Sequence, residues 1–363
     1  MKIFVGKRES DILTYNIFNI TITRWGSNDG NNYAFDNLEK YKDSTYVDWI
    51  TEVLDKLTKN IEEFELHFYN QDIAHKVIKK QPKYKSYIKN LNLESTIDQF
   101  NNKTECRKWL GDFTKVIPYQ SLLKEECSYS NLCRLFPEFY QFIIQENYSG
   151  GGEGTYKLNK ETEQSVQANL EPKEQYLVSP FYEVSNSYST TLLVSKDNIC
   201  ILPVSIQNII PHNNKFYFAG NTFANIPTNI KEKIYQLSKI IGDKIRTDKK
   251  YRGICGIDFI ESNEEIFPIE INPRYLGSSY VINKALNDSN LPSLFELNTR
   301  CFENKLDNEL TFKLENLSIP YEHHYVFSFN NTNNIDGEKF YDGYDEIYLG
   351  KYGEYLYRYI THL

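Results

Sequence analysis

Two short stretches decide how this chain is read: Gly253-Ile254-Cys255-Gly256-Ile257-Asp258-Phe259-Ile260 and, after a polar break, Phe267-Pro268-Ile269-Glu270-Ile271-Asn272-Pro273-Arg274. Both have the apolar content and alternation of β-strands. Successive side chains on a strand point to opposite faces. Asp258 therefore stands opposite Ile257 and Phe259, and Glu270 and Asn272 share a face that Phe267, Ile269 and Ile271 do not. With 261–265 as the connecting turn, Ile260 opposes Ile266 and Asp258 opposes Pro268, so Asp258, Glu270 and Asn272 lie on one face of an antiparallel hairpin. Glu270 is then the diagonal neighbour of Asp258, at a backbone separation of roughly 7 to 8 Å that two carboxylates can close around one or two hard cations. The inference depends on register, since a slip of one residue turns Asp258 to the other side. Arg274, one alternation beyond Asn272, puts a guanidinium where it can pair with a phosphoryl oxygen or a carboxylate. For any one of these residues a solvated surface hairpin with a weak salt bridge is the better reading; their combination outweighs it.

Upstream of the hairpin, 230–245 reads as a helix with Ile230, Ile234, Leu237, Ile241 and Ile245 on one stripe and Thr228 near its start. Further back, an apolar strand at 139–145 runs into Tyr148-Ser149-Gly150-Gly151-Gly152-Glu153-Gly154, and 155–158 is again extended, which predicts a flexible hairpin. Strands at 175–180 and 190–194 complete a small antiparallel lobe. By itself the glycine loop is as readily a plain turn as a phosphate cradle. No Gly-Lys-Ser/Thr follows it, as a Walker A loop requires, and it lacks the GxGxxG spacing and following helix of a dinucleotide fold. The N-terminal part opens with a strand at 2–5, carries a helix with Val47, Ile50, Val53, Leu54, Leu57 and Ile61 at helical spacing, and returns to a strand at 64–69. That order predicts a small α/β lobe ending near Asp98, while the Asn- and Gly-rich stretch 22–46 reads as loop.

The string Gly256-Ile257-Asp258-Phe259, followed by Glu270-Ile271-Asn272-Pro273-Arg274, resembles the metal-binding core of the ATP-grasp superfamily. The resemblance extends backward. Asn102-Lys103 with 107–110 is similar to the lysine-containing segment ahead of the lid, and 150–154 is similar to the phosphate-covering loop. Val178-Ser179-Pro180-Phe181-Tyr182-Glu183 falls where the hinge strand meets adenine. About 99–285 is covered, with the N-terminal lobe matching in outline. The resemblance implies that Asp258, Glu270 and Asn272 hold the metal. Arg274 and Lys103 would act on the transferred phosphate, Lys103 also touching the nucleotide phosphates. Gly151, Gly152 and Gly154 would cover the phosphates, and Ser179, Pro180, Phe181, Tyr182 and Glu183 would meet the adenine, mainly through backbone. One position departs from the family pattern. The strand before the glycine loop commonly carries a Lys and here ends in Gln145, an uncharged amide that loses one phosphate contact. Because some branches resemble this chain in having Gln there, Gln145 stays among the implied nucleotide ligands.

The fold so implied is α/β (α+β), with an N-terminal α/β domain over 1–98, an ATP-grasp domain over 99–330 containing a small antiparallel lid at about 139–205, and a C-terminal extension over 331–363. The implied cofactors are ATP and Mg2+, one ion or two, with Mn2+ as a substitute. The implied reaction joins a small-molecule carboxylate to an amine, or a thiol, through an acyl phosphate. Stand-alone peptide or amino-acid ligases are the favoured subclass, from the Asn-Pro-Arg-Tyr strand end at 272–275. A regulatory or scaffold protein that binds nucleotide without turnover, a kinase on the same fold and a carboxylase-type subunit are the alternatives; the retained metal ligands argue against the first. A homodimer is compatible with all of them.

Composition narrows the partners. Asp and Glu number 49 against 41 Lys and Arg, for a net charge of -8, and no long basic run offers a nucleic-acid footprint. The opening ten residues have an apolar run only at 3–5, and no later stretch has the length to cross a bilayer, so a soluble cytoplasmic protein without export signal is expected. The six cysteines, at 106, 127, 133, 200, 255 and 301, include no CxxC pair and are expected as reduced thiols. His323-His324 point opposite ways on a strand and read as structural. No GxSxG elbow marks a hydrolase. Gln207 ends a strand and is a minor candidate for the site.

Overall fold

The computed structural model describes residues 1–8, 11–12, 17–25, 28–35, 43–152, 154–327, 344–347 and 355–363. Strands β1 (Lys2–Arg8), β2 (Ile20–Trp25), β3 (Asn32–Ala34) and, after helix α1 (Asp43–Thr58), β4 (Glu65–Phe68) form a parallel sheet in the order β3-β2-β1-β4. Parallel neighbours need a crossover. Helix α1 provides one, burying Val47, Ile50, Val53 and Leu54 against Ile3, Val5, Ile22 and Leu66 in a single core. The stretch 22–46, expected as loop, contains β3, most of β2 and the start of α1. The alternation Ile20-Thr21-Ile22-Thr23 is β-branched throughout, and that strand preference outweighs the neighbouring Asn and Gly. Residues 26–27 and 36–42 of that stretch lie outside the described residues.

Helices α2 (Gln71–Lys80), α3 (Glu94–Asn101) and α4 (Lys103–Gly111) lead into a 13-stranded sheet. Its smaller part consists of β5 (Gln120–Leu123), β6 (Phe142–Glu146), β7 (Thr155–Leu158) and β8 (Gln175–Pro180), in the order β7-β6-β8-β5, with helices α5 (Tyr129–Leu135) and α6 (Glu163–Asn169). It has a core of its own, built on Phe142, Ile144, Tyr156, Leu158, Tyr176 and Val178.

The larger part holds β9 (Asn186–Val194), β10 (Ile199–Ile201), β11 (Ser205–His212), β12 (Lys215–Thr222), α7 (Thr228–Asp248), β13 (Gly253–Ser262) and β14 (Glu265–Asn272). It runs β14-β13-β9-β11-β12 and joins the smaller part where Lys215 of β12 pairs with Tyr156 of β7. Residues 190–194, expected in the small lobe, instead belong to β9, which pairs with β13 from Gly253↔Val194 to Glu261↔Asn186. The reason is burial on both faces: Leu193 enters one large core, and Leu192 and Val194 the other. Helix α7 lays Ile230, Ile234, Ile241 and Ile245 into the second of these. At Gly242 a Cβ would stand 2.9 Å from Leu192 Cδ2, so the glycine lets the helix seat closely on β9.

Helices α8 (Ser279–Asp288), α9 (Leu294–Phe302) and α10 (Asn308–Glu315) close the other face, and β15 (Tyr321–Phe327) pairs with β12. Beyond it β16 (Tyr344–Ile347) and β17 (Tyr355–His362) extend the same sheet, so the C-terminal stretch adds strands where it is described; 331–343 and 348–354 lie outside the described residues. Among the described residues no helix is long and apolar enough to cross a membrane.

Candidate active site

Strands β13 and β14 meet in a two-residue turn, Asn263-Glu264, with φ of 50° and 63°. Positive φ at both positions gives the backward twist that a tight hairpin needs. This turn is shorter than the 261–265 expected, and a bulge compensates. Ser262 pairs with Glu265, Ile260 with Phe267, Phe259 with Pro268 and Asp258 with Glu270, leaving Ile269 as the extra residue. Two expectations are thereby corrected. Asp258 opposes Glu270 rather than Pro268, so the two carboxylates are direct cross-strand partners and not diagonal ones. Phe267, expected to face away from Glu270, pairs with Ile260 on the Asp258 side, where its ring lies 5.8 Å from that of Tyr182.

The bulge keeps Ile257, Phe259 and Ile271 in the core while the acids stay on the opposite face. It is tolerated because β14 is an edge strand, where Pro268 interrupts the ladder at little cost. The carbonyl of Ile269 accepts from Arg107 Nε and Nη2 at 3.4 and 3.2 Å. Arg107 is buried, its Nη1 has no hydrogen-bond partner among the described residues, and burial lowers its pKa.

On the acid face Asn272 Nδ2 donates to Asp258 Oδ2 at 2.9 Å and Gln207 Nε2 donates to Asp258 Oδ1 at 3.1 Å. The Oδ1 of Asn272 accepts from Arg274 Nη2 at 2.9 Å, and Arg274 Nη1 donates to the Tyr275 carbonyl at 3.0 Å. Lys103, buried at the first position of α4, holds its Nζ 3.6 Å from Glu270 Oε2 and donates to the Ser149 carbonyl. The backbone continues this stitch. Lys103 N–H donates to Asn147 O at 3.1 Å, and Thr104 donates from N and Oγ1 to Asn147 Oδ1. The start of the glycine loop is thus fixed to the N-terminus of α4, which Asn102 caps through Glu105 N–H.

Burial first, and the negative charge of Glu270 next, push the Asp258 carboxyl up to about 7, against hydrogen bonds from Ser189 and Asn272 and the charge of Arg274. Two opposed carboxylates under this repulsion form a donor set suited to a hard divalent cation, whose binding would remove the penalty. Among the described residues no group of three His, Cys, Asp or Glu side chains gathers. A third protein oxygen would come from an amide beside Asp258, that of Asn272 or of Gln207, with phosphate oxygens or water completing the shell. Magnesium with a polyphosphate fits that description.

Gly151, Gly152 and Gly154 adopt φ of 69°, 87° and 66°. At Gly152 a Cβ would stand 2.0 Å from the Phe216 carbonyl oxygen, so only glycine lets the loop lie against β12, where Phe218 N–H donates to Gly151 O at 3.2 Å. At Gly150 a Cβ would be 3.6 Å from Arg274 Nη2, so the loop passes directly over the guanidinium. Residue 153 lies outside the described residues.

In the hinge, Ser179 is buried opposite Ile143, Pro180 pairs with Phe142, and Phe181 N–H donates to Gln141 O at 2.8 Å. Tyr182 lies between the rings of Phe139 and Phe267, and Glu183 is exposed. Gln145 donates to Thr155 Oγ1 at 3.3 Å on the sheet face away from the core. The structure therefore gathers Lys103, Asp258, Glu270, Asn272, Arg274 and the loop start at 149–150. Of the hinge residues Tyr182 reaches Phe267, while Gln145 pairs with Thr155 and Leu177 within the smaller part of the sheet. His323 and His324 lie apart, the first fully buried and the second partly exposed on β15.

The sequence names no individual residue of the N-terminal strands that reaches this site. Asn70 forms a backbone bridge with Arg274, Tyr275 N–H donates to Tyr69 O at 3.4 Å, and Tyr69 Oη donates to Leu276 O at 2.6 Å. Burial and the charge of Asp11 raise the Tyr69 hydroxyl pKa, against Arg274 and Arg8, so both N-terminal charges stand near this turn. Arg8 also lies 5.5 Å from the Tyr325 ring centroid. These are single residues at strand ends, far from Arg274 in sequence, and no local motif announces them.

Residues 100–278 match the family model of an ATP-grasp domain. Over 146 residues the chain is 27% identical to the D-alanine--D-alanine ligase of Petrotoga mobilis, a match covering 38% of this chain and 48% of that protein. Over 154 residues it is 25% identical to the arginine-specific large chain of carbamoyl phosphate synthase of Bacillus subtilis, covering 42% and 15% respectively. The matched region thus spans about half the length of the first relative and far less of the second. Among solved structures, carboxyaminoimidazole ribonucleotide synthase from Aspergillus clavatus, complexed with ATP, superposes with a TM-score of 0.68 at 13% identity over 100% of this chain and 93% of that one. The L-amino acid ligase from Bacillus licheniformis gives 0.62 at 10% identity over 90% and 79%. At such identities these likenesses are of fold.

Proposed function

This chain belongs to the ATP-grasp superfamily, and from that premise we propose that it is an ATP-dependent ligase joining a carboxylate to an amine through an acyl phosphate. The observation that carries the reading is the direct pairing of Asp258 with Glu270 on the face shared with Asn272, bordered by Lys103, Arg274 and the start of the glycine loop. Asp258, Glu270 and Asn272 would hold magnesium, which when bound screens the phosphates and polarises the transferring phosphoryl group. Asn272, hydrogen-bonded to Asp258 on one side and Arg274 on the other, joins the acids and the guanidinium into one positioned unit.

In the proposed reaction the substrate carboxylate attacks the γ-phosphorus of ATP and ADP leaves. Arg274 faces the transferred group and Lys103 offsets charge on the phosphates. The amine then attacks the acyl carbon and expels phosphate. An acyl phosphate hydrolyses in water, so the glycine loop, resting over Arg274, would exclude solvent between the two steps. The adenine would lie at the hinge. There Pro180 lacks an N–H and that of Phe181 is already bonded to Gln141 O, so backbone donation to the base falls to Tyr182 or beyond. The acid and amine would enter beside Arg8, Asp11 and Tyr69, where β1 and β4 end against the Arg274 turn. The names of the Petrotoga and Bacillus licheniformis ligases support amino acids as the class to test first.

The test is ADP and phosphate release from magnesium-ATP across a panel of carboxylates, alone and paired with amines, with mass spectrometry of products and hydroxylamine trapping. Release that requires one acid, with a hydroxamate in the trap and an amide with the right amine, is expected. A stable phosphomonoester would make the protein a kinase instead, and tight ATP binding without release under every pairing would favour a binding protein.

A further inference from the structure

We propose that Lys157 is the cation with which the small antiparallel part of the sheet grips the phosphates of the bound nucleotide. The proposal rests on the reading that this space takes ATP. Strand alternation sorts the faces. Phe142, Ile144, Tyr156, Leu158, Tyr176 and Val178 fill the local core, so Ile143, Gln145, Thr155, Lys157, Leu177 and Ser179 occupy the other face. Lys157 pairs with Ile143, which pairs with Ser179, and the adjoining row is Thr155, Gln145 and Leu177. This second face looks toward the hinge, since Lys157 Nζ sits 3.7 Å from the Phe181 ring centroid.

A nucleoside triphosphate brings several negative charges, and this chain is acidic, at a net -8. Cations must therefore be supplied locally. Lys103 is engaged with Glu270 and the Ser149 carbonyl, and Arg274 with Asn272 and the Tyr275 carbonyl. Both belong to the acid side of the site. On the opposite face the strand that enters the glycine loop ends in the uncharged Gln145, whose amide bonds Thr155. Lys157 stands on the neighbouring strand, a diagonal neighbour of Gln145, and its ammonium rests on an aromatic ring. A ring holds an ammonium more weakly than a phosphate oxygen does, so the contact can be exchanged for a charge-assisted hydrogen bond when nucleotide enters. Phe181 then serves as the resting place of the ammonium in the free protein.

The experiment is calorimetric binding of magnesium-ADP, magnesium-ATP and adenosine to the full chain, wild type and Lys157→Met, at low and moderate salt. The variant is expected to bind ADP and ATP about 10- to 100-fold more weakly, with a shallower salt dependence and unchanged adenosine affinity. Adding Gln145→Lys to Lys157→Met should restore most of the loss, because it returns a cation to the same face one diagonal away. Equal nucleotide affinity of wild type and Lys157→Met overturns the proposal. So does a loss shared by adenosine, or one that Gln145→Lys fails to rescue in a folded protein, since either marks a packing role. A wild-type protein that binds no adenine nucleotide would instead overturn the ligase reading beneath it.

Discussion

The β13–β14 and β6–β7 hairpins each offer polar groups on one face and a core on the other, but they are anchored differently. On β13 and β14, Ile257, Phe259 and Ile271 enter a core shared with α3, α4 and α7, and β13 is paired along its length with β9. On β6 and β7, Phe142, Ile144, Tyr156 and Leu158 enter a smaller separate core, and the links to the larger part include the Lys215–Tyr156 pair, the bond from Lys157 N–H to Asn214 O and the loop contacts at Lys103 and Phe218. Groups that must stay opposed against their own repulsion, Asp258 and Glu270, sit on the strongly anchored pair. The glycine loop, which in the proposed reaction covers the ligand, sits on the lightly anchored one, as expected of elements drawn from the low-stability end of a structure.

Four experiments test this contrast. Glu270→Gln keeps the shape of the anchored hairpin and removes one charge, so turnover should fall roughly 10²- to 10³-fold or more while circular dichroism and the melting temperature stay near wild type. A folded variant of full activity would contradict the metal assignment. On the other hairpin, Gly152→Ala puts a methyl where the Phe216 carbonyl stands and demands a positive φ, with strain of about 1 to 3 kcal/mol. It should weaken ATP binding several-fold and speed proteolysis within the loop while leaving the main melting transition in place. Wild-type behaviour would mean that the loop is not held on β12.

Removing divalent cations tests the acids directly. In the folded chain Asp258 titrates at about 7, against 3.8 for an unperturbed carboxyl. Between those values the folded state keeps a proton that the unfolded state has lost, so stability in chelator should fall as pH rises from about 4 to 7, by at most about 1.4 kcal/mol per pH unit. Saturating magnesium or Asp258→Asn should flatten the slope, and a profile already flat in chelator would show that the two carboxylates are not in conflict. The smallest effect is expected from Gln207→Ala, which removes a single neutral donor to Asp258. Loss of about 0.5 to 1.5 kcal/mol of metal-dependent nucleotide affinity is the scale of one such hydrogen bond, readable by titration calorimetry. A larger loss would make Gln207 part of the metal shell itself.

Much of the anchored hairpin was legible because period-2 alternation is local: Asp258, Glu270 and Asn272 end on one face as read. The α7 stripe and the limits of β8 were legible for the same reason, a repeat written within a few residues. Register was not legible. The Asn263-Glu264 turn and the bulge at Ile269 shift each other, and only packing of both strands on a common core selects that combination over a wider turn without a bulge. Residues 190–194 read as a strand, but their neighbour, β13, was chosen by burial on both faces.

Local pattern specified the strand pair, its acids, the glycine loop and the strand Gln175–Pro180, because each is a run of chemical types at short spacing. Tertiary structure decided which groups meet: Asp258 opposite Glu270, Phe267 beside Tyr182, Lys103 against Ser149, Lys157 over Phe181, and Asn70 at Arg274. Those contacts join residues distant along the chain. The free energy that selects them comes from burying whole faces of sheets and helices together, a quantity no short window of sequence contains.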